Sequence, residues 1–293
     1  MYQAFSVIIP TFNRADKISK AIDSLISQSH TLWEAIIVDN NSSDRTEEVV
    51  KSYRDSRIKF FKINNNGIIA KSRNYGISKS KYDLIAFLDS DDWWTEDKLK
   101  KSLEHINNGA SVTYHDMLMV NPQRVLNLRI ARTRQLKKDS FKDLINNGQA
   151  INNSSVVLRK DIISKAGLLS ERKELSGIED FDLWLRLSKL NVRFKRLRGI
   201  YGSILVNSGD NFTSHESMIR CIDEIKREYS ESFQKYPQHY WAYYIKGRAL
   251  YKLEKYEEAN VLFKKVKIRS NNYLISMKSL FMIFLLKNKL KSK

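Results

Sequence analysis

Short apolar runs alternate with segments of helical spacing over the first 110 residues, and this alternation restricts the fold more than any other feature. Four runs rich in Val, Ile, Leu and Phe are predicted strands, at residues 5–9, 35–38, 58–61 and 84–88. The intervening segments place apolar residues at helical intervals, at residues 15–27, 45–53, 69–78 and 95–107. Strands that are apolar on both faces and separated by helices predict a mostly parallel sheet covered on both sides, and therefore an α/β fold.

The rest of the chain is less regular up to residue 215 and helical after it. Further strands are predicted at residues 111–120 and 155–158, helices at 141–146 and 181–190, and a polar loop at 199–215. Residues 240–272 carry Gly, Ala and aromatic side chains at the spacing of one tetratricopeptide-like helix pair. That pair is either a repeat unit or a helical hairpin that packs on its own domain. We expect one domain over residues 1–215 and a basic helical region over residues 216–293.

The chain of 293 residues has a formal net charge of +18, which favours an anionic partner such as a phosphorylated substrate, a nucleic acid or an acidic membrane surface. Half of that excess lies in residues 216–293, and no acid follows residue 258. The segment 273–290 mixes Leu, Ile, Phe and Met with Lys, and it fits either a helix in a membrane interface or a last helix buried against the hairpin. Its longest apolar run is far shorter than the roughly 20 residues of a spanning helix.

Several absences narrow the chemistry. Cys221 is the only cysteine, which excludes disulfides within the chain and thiolate-rich zinc sites. The sequence has no G-x-x-x-x-G-K-[ST] phosphate loop, no G-x-G-x-x-G after the first strand and no nucleophile elbow, and its five His lack metal-ligand spacing. The amino-terminal segment carries no targeting signal, so we expect the protein to stay in the compartment where it is made.

Polar side chains follow three of the predicted strands, at Thr11 to Arg14, at Asp39 to Asn41 and at Asp89 to Asp92. In parallel sheets ligands bind beyond the carboxyl ends of the strands, so these three groups are expected to converge on one crevice. The cluster at residues 89–92 places three carboxylates in four residues, where they repel one another unless a divalent cation lies between them and substrate phosphates. The alternative is a helix N-cap.

Three further groups are candidates for binding or catalysis. Asp39 suits a hydrogen bond from a nucleobase imide or a ribose hydroxyl, and equally a turn. Arg73, one turn into a helix, lies near enough to its start to contact a phosphate. Glu179 and Asp180 open a predicted helix, where carboxylates are favourable in any case, or else one of them is a general base for a hydroxyl.

These motifs together resemble the family 2 glycosyltransferases, which have the GT-A fold. The matching stretches are Ser-Val-Ile-Ile-Pro-Thr-Phe-Asn-Arg at 6–14, Ile-Ile-Val-Asp-Asn-Asn-Ser-Ser-Asp at 36–44, Arg-Asn-Tyr-Gly at 73–76, Phe-Leu-Asp-Ser-Asp-Asp at 87–92 and Gly-Ile-Glu-Asp-Phe-Asp-Leu-Trp-Leu-Arg at 177–186. The resemblance covers residues 4–200 and depends on all five motifs occurring in the right order.

The resemblance implies a UDP-sugar donor, a divalent cation, Mn²⁺ or Mg²⁺, and inversion at the anomeric carbon. It implies that the donor is bound by Pro10, Thr11, Arg14, Asp39, Arg73, Asp89 and Ser90. Asp91 and Asp92 then hold the cation, and Asp180, with Glu179 beside it, is the base that deprotonates the acceptor. Trp93 and Trp94 either face sugar or belong to the core or a lid.

The sequence departs from the family pattern in one place. Many relatives carry a His, often within Arg-x-His, after the second half of the domain, whereas residues 206–214 contain none before His215. Either Asn207, Asp210 or His215 substitutes for it, or the cation has fewer protein ligands.

The family likeness also suggests what the protein glycosylates. The acceptor expected from it is a sugar on a polyprenyl diphosphate lipid, in the synthesis of O-antigen, capsule or lipooligosaccharide at the inner face of the cytoplasmic membrane. The basic carboxyl-terminal region suits peripheral contact with that membrane. Alternatives are a nucleic-acid-binding protein, disfavoured because the acids at residues 89–92 repel phosphate, and a non-catalytic scaffold with a transferase-like fold. No nucleic-acid partner is expected.

Overall fold

A computed structural model describes residues 3–123, 129–206, 214–269 and 273–291 of the chain. The chain forms two compact units that interleave along the sequence. The first unit comprises Met1–Leu136, Ala150–Glu171 and Arg186–Asp210, and the second comprises Lys137–Gln149, Arg172–Leu185 and Asn211–Lys293. The division after residue 215 stays a prediction.

One mixed sheet contains the strands of the described residues. They are β1 Phe5–Thr11, β2 Trp33–Asp39, β3 Ile58–Lys62, β4 Leu84–Phe87, β5 Trp93–Trp94, β6 Val112–Val120, β7 Arg129–Ala131, β8 Val157–Arg159 and β9 Phe194–Leu205. Their order is β3-β2-β1-β4-β8-β6-β9-β5, with β7 on β6. The pairs among β1 to β4 are parallel, as is β6 with β9, whereas β8 runs antiparallel to both of its neighbours.

The first four helices occupy the segments that the sequence predicts, whereas the helix at Lys160–Lys165 was not predicted. The helices are α1 Ile18–Ile26, α2 Thr46–Ser52, α3 Ile69–Lys79, α4 Lys98–Asn107, α5 Ser140–Asn147, α6 Lys160–Lys165, α7 Glu179–Lys189, α8 His215–Glu228, α9 Ser230–Lys235, α10 Tyr240–Lys252, α11 Tyr256–Arg269 and α12 Tyr273–Lys291. All residues of β1 and β2 are buried, because helices cover both faces of this part of the sheet. The predicted α/β fold is confirmed.

Two local predictions were wrong. The helix expected from residue 95 begins at Lys98, with Asp97 at its N-cap position, so the acids at residues 89–92 do not cap it. The loop expected at residues 199–215 is strand β9 as far as Leu205. Gly202 suggested a turn, yet it lies within the strand, where a Cβ would come within 2.9 Å of the Trp93 carbonyl oxygen. Glycine therefore permits the close approach of β5 to β9.

In the second unit, α10 and α11 form the predicted helix pair. A Cβ at Gly247 of α10 would lie 2.9 Å from the ring of Phe263 in α11, so the glycine allows the two helices to pack closely. Leu286 of α12 is fully buried in the same cluster, whereas Phe281 and Phe284 are each 61% exposed. One face of α12 is thus packed against the hairpin, and another is open. Among the described residues, no helix is both long enough and apolar enough to cross a bilayer.

Candidate functional site

The ends of β1 and β2 bring two predicted donor-site residues side by side. Thr11 pairs with Asp39 in the parallel register, and Pro10, one residue earlier, is buried within β1. The Asp39 carboxylate accepts hydrogen bonds from the backbone N–H of Ser42 at 2.9 Å and from its hydroxyl. Asp39 therefore forms the predicted turn, and it is fully buried at the end of β2. The buried Thr11 hydroxyl has no hydrogen-bond partner within the described residues.

The segment after β1 is tied to the segment after β2. Asn13 has a positive φ of 51°, and its side-chain oxygen accepts a hydrogen bond from the Ser43 N–H at 2.9 Å. The Arg14 N–H donates to the hydroxyl of Thr46, at the start of α2, at 2.9 Å. These bonds hold Arg14, which is buried, with its guanidinium 3.9 Å from a carboxylate oxygen of Asp91. The predicted convergence of the first and fourth strand ends is thus observed.

The four residues Asp89 to Asp92 form a tight turn after β4, in which the Asp92 N–H donates to the Asp89 carbonyl at 3.0 Å. Buried Arg73, on α3, donates a hydrogen bond to the Asp89 carboxylate at 2.8 Å. Ser90 and Asp92 are buried, whereas the side chains of Asp89 and Asp91 are 32% and 22% exposed. The turn therefore presents two carboxylates to solvent and directs a third inward.

Burial and mutual repulsion make this turn costly in its fully ionised form. The pKa of Asp91 is raised by burial and then by the neighbouring Asp89 charge, which Arg14 partly offsets. Burial, with the charges of Asp89 and Asp91, raises the pKa of Asp92 well above its ordinary value. Additional positive charge would relieve this repulsion, so the donor set fits a hard divalent cation. No group of three His, Cys, Asp or Glu suited to a metal occurs in the described ranges, and Mg²⁺ sites commonly use one or two carboxylates with substrate phosphates.

The two predicted catalytic acids lie in the second unit, at the first turn of α7. The Glu179 carboxylate is buried and accepts a hydrogen bond from the Gly177 N–H at 2.7 Å. Asp180 is partly exposed, and its carboxylate accepts from the Phe181 N–H at 2.7 Å and from the Gln149 side-chain amide at 2.8 Å. The two carboxylates thus accept hydrogen bonds from backbone N–H groups at the start of α7, where negative charge is favourable. Asp180 is the more accessible of the two acids.

Gln149 was not identified from the sequence, although the preceding Gly148 gives a signal. Gly148 ends α5 with a positive φ of 71°, and a Cβ there would lie 2.6 Å from the Trp241 ring. The Trp241 ring also stacks edge-on against Phe181 with centroids 5.2 Å apart, and its N–H donates to the Ile145 carbonyl at 2.8 Å. One tryptophan thus packs beside both Gly148 and the residue that follows Asp180.

The remaining sequence-derived candidates have simpler outcomes. Trp94 is a core residue whose indole N–H donates to the Ser154 carbonyl at 2.7 Å, and Trp93 is half-buried beneath the Lys20 ammonium. His215 begins α8 in the second unit. Asn207 and Asp210, the other proposed substitutes for the missing His, lie outside the described residues.

Comparison with known proteins gives matches of three kinds. The sequence profile of Glycosyl transferase family 2 matches residues 6–165. TuaG of Bacillus subtilis, a glycosyltransferase assigned to teichuronic acid biosynthesis, is 42% identical over 101 residues, which cover 34% of this chain and 40% of TuaG. The Escherichia coli enzyme WfgD, a UDP-Glc:alpha-D-GlcNAc-diphosphoundecaprenol beta-1,3-glucosyltransferase, is 30% identical over 187 residues, or 64% of this chain and 70% of WfgD. The chain thus spans less than half of TuaG but most of WfgD.

Two solved structures are similar over almost the whole chain. Staphylococcus aureus TarS 1-349 in complex with UDP-GlcNAc is 20% identical, with a TM-score of 0.58 over 99% of this chain and 92% of TarS 1-349. The mannosyltransferase PcManGT of Pyrobaculum calidifontis, in complex with GDP-Man and Mn²⁺, is 12% identical, with a TM-score of 0.62 over 96% of this chain and 80% of PcManGT. These likenesses show the fold, and the GT-A architecture expected from the sequence is confirmed.

Proposed function

The chain belongs to glycosyl transferase family 2, and on that premise we propose that it transfers a hexose from a UDP-sugar to a hydroxyl of a saccharide acceptor, with inversion at the anomeric carbon. The observation that carries this proposal is the convergence of Thr11 and Asp39 with the Arg14–Asp91 and Arg73–Asp89 pairs at one edge of the sheet. Acceptors for an imide N–H, cations for a diphosphate and carboxylates for a metal are the groups that a nucleotide sugar requires.

We assign the donor contacts as follows. Asp39 accepts from the uracil imide beside Thr11, whose hydroxyl has no hydrogen-bond partner among the described residues, and Pro10 and Arg14 line the same side. Arg73 contacts the nucleotide, and Asp89 accepts from a ribose hydroxyl, with Ser90 next to it. The UDP and UDP-GlcNAc complexes of TarS support a uridine donor. The hexose is glucose, galactose or an N-acetylhexosamine.

Asp91 is the proposed principal ligand of a Mn²⁺ or Mg²⁺ ion, with the buried Asp92 as the second carboxylate. The Mn²⁺ in the PcManGT complex and the raised pKa values of both acids support this assignment. When bound, such an ion supplies positive charge that stabilises the diphosphate leaving group. Arg14 and Arg73 contribute fixed positive charge from the protein itself.

Asp180 is the proposed general base, and Glu179 braces the start of its helix through the bond from Gly177. Asp180 accepts the proton of the acceptor hydroxyl as that oxygen forms a bond to the anomeric carbon. The bond from that carbon to the diphosphate breaks on the opposite face, and UDP departs. A single displacement inverts the centre, so an α-linked donor gives a β-linked product. Water must be excluded, because it would accept the sugar in place of the acceptor.

The acceptor is proposed to be a sugar on a polyprenyl diphosphate lipid, in bacterial surface-polysaccharide synthesis. The name of WfgD specifies such a lipid-linked acceptor, and TuaG and AmsB, an amylovoran biosynthesis glycosyltransferase of Erwinia amylovora, are assigned to extracellular polymers. The protein would then work in the cytoplasm at the inner face of the membrane. The basic segment after residue 258 suits contact with that anionic surface.

A panel of nucleotide sugars with Mn²⁺, scored by release of nucleoside diphosphate in the presence of lipid-linked acceptor, tests the proposal. Asp91→Ala and Asp180→Asn should each lower turnover by about 10²–10⁴-fold, and only Asp180→Asn should keep UDP binding. Asp16→Asn in the first unit and Asp223→Asn in the second are controls, because both carboxylates are exposed. Full turnover in excess EDTA, or full activity of Asp180→Asn, would contradict the assigned roles.

A further inference from the structure

The buried hydroxyl of Ser154 contacts the acidic turn after β4. Ser154 lies in a short 3-10 turn, Asn153–Ser155, just before β8, and it is buried. Its hydroxyl oxygen accepts a hydrogen bond from the Asp89 N–H at 3.1 Å, and the same hydroxyl lies close enough to the Asp92 carboxylate to interact with it. One side chain therefore holds the first residue of the turn that carries Asp91 and lies beside the last.

Ser154 is itself fixed through its backbone. The indole N–H of Trp94 donates to the Ser154 carbonyl at 2.7 Å, and this bond is buried. The face of the Trp94 ring lies 3.6 Å from the Lys98 ammonium at the start of α4. On the other side of the short turn, the Val156 carbonyl accepts from the Phe87 N–H at 3.3 Å. Ser154 is thus attached to β5, after the acidic turn, while Val156, two residues further on, is attached to β4, before it.

The inward-facing carboxylate of Asp92 adds a second attachment of the turn, to β9. Asp92 also accepts a hydrogen bond from the Leu205 N–H at 3.3 Å, at the end of β9. Asp89 and Asp91 keep their greater exposure and face the basic side chains of Arg73 and Arg14. A change behind the turn would therefore alter how these two carboxylates are presented.

We propose that Ser154 and Trp94 are positioning residues of the transferase, which set the geometry of the Asp89–Asp92 turn so that Asp91 can meet a divalent cation and Asp89 the nucleotide. This inference rests on the proposed function. Partners that orient metal ligands typically contribute about 10–100-fold to metal affinity, which is the range expected for Ser154.

Ser155 offers a matched control. It is buried, adjacent in sequence, and donates its hydroxyl to the Asn152 carbonyl at 2.6 Å, without contact to either aspartate. Both Ser→Ala changes remove one buried hydroxyl from the same short turn, so both are expected to cost comparable stability. Only Ser154→Ala removes the bond that holds the acidic turn.

The test measures Mn²⁺-dependent UDP binding by calorimetry in the wild type, Ser154→Ala, Ser155→Ala and Trp94→Phe, together with amide hydrogen exchange of residues 89–92 without ligand. Ser154→Ala should weaken binding about tenfold or more and speed exchange at the Asp89 amide, whereas Ser155→Ala should do neither. Trp94→Phe, which keeps a ring and loses the N–H donor, should show a smaller change of the same sign.

Three outcomes overturn a claim. Equal loss of binding in Ser154→Ala and Ser155→Ala would reduce Ser154 to a structural role. Unchanged binding and exchange in Ser154→Ala would end the positioning inference while leaving the function intact. A wild type that binds neither Mn²⁺ nor UDP would instead refute the proposed function, and the positioning role with it. That conclusion would hold even if Ser154→Ala speeds exchange at the Asp89 amide.

Discussion

At the scale of single residues, Lys98 has the least expected environment. It is fully buried on α4, its ammonium nitrogen has no hydrogen-bond partner in the described part of the chain, and burial holds its pKa well below the ordinary value. His115, also buried, lies close enough for the two groups to interact, and burial lowers its pKa to about 3. Burial therefore favours the neutral form of both side chains in the folded protein.

Lys98→Met should increase stability near neutral pH and flatten its dependence on pH. The unfolded chain holds a proton on Lys98 up to its ordinary pKa, whereas burial makes the folded chain lose it at lower pH, so wild-type stability rises with pH between the two pKa values. A difference of one bound proton between the unfolded and folded chains changes the free energy of unfolding by about 1.4 kcal/mol per pH unit. Urea unfolding at pH 7, 8 and 9 measures the slope. Lys100→Met, exposed on the same helix, is the control, and an unchanged slope in Lys98→Met would refute the prediction.

The acids at Asp39 and Asp89 to Asp92 could be predicted because each directly follows an apolar run that ends at the same edge of the sheet. Ser154 could not, since its sequence context is an ordinary turn and its partners lie 60 and 65 positions away. Gln149 could not be predicted either, because its partner, Asp180, lies 31 positions further along the chain. Local spacing shows which residues bear charge, whereas the groups that orient them come from distant segments.

At the scale of elements, α12 has one face packed against the hairpin and an exposed face that is apolar. Ser279 and Leu286 are buried, and on the opposite side Met277, Leu280, Phe281 and Phe284 are exposed. Helical spacing puts Lys278 and Lys289 along one edge of this open face and Lys287 along the other, so that long basic side chains border it. The structure supports the interpretation as a last helix packed on the hairpin for one face, and the membrane interface stays a prediction for the other.

We expect this open face to bind anionic bilayers. Wild type should float with phosphatidylglycerol vesicles and not with phosphatidylcholine vesicles. The double change Phe281→Ser and Phe284→Ser should weaken binding about tenfold or more, because burying each Phe side chain contributes about 1.5–3 kcal/mol. Val261→Ser, exposed on α11, is the control. Deleting residues 273–293 should move the protein from the membrane to the soluble fraction. If the truncated and full-length chains partition alike, membrane contact through α12 is refuted.

The end of α5 allows a sharper test of backbone strain. Gly148→Ala places a Cβ at a positive φ and 2.6 Å from Trp241, so it should destabilise the protein by about 1–3 kcal/mol. Gly67→Ala is the control, since it shares the positive φ of 74° but meets nothing within 4 Å, and it should cost less. Thermal unfolding compares the two, and equal losses would show that the tryptophan contact is unimportant.

At the scale of the whole molecule, the alternation of strands and helices up to residue 107 was predictable because strands buried on both faces are continuously apolar. Beyond it, β9 mixes Lys, Arg and Gly with apolar residues, and its pairing with β6 shifts register twice, so its sequence resembles a loop. The short antiparallel pairs of β5 and β8 involve too few residues to show a period.

The interleaving of the two units has a consequence for synthesis. The Trp241 indole that bonds to the carbonyl of Ile145 follows it by 96 positions, and the Tyr229 hydroxyl that bonds to Asp182 follows it by 47. At roughly 5–20 residues per second, a ribosome releases α5 about 5–20 s before that tryptophan exists. During that interval α5 and the start of α7 lack the partners that cover them in the folded chain, so the second unit can complete its packing only after Trp241 has been synthesised.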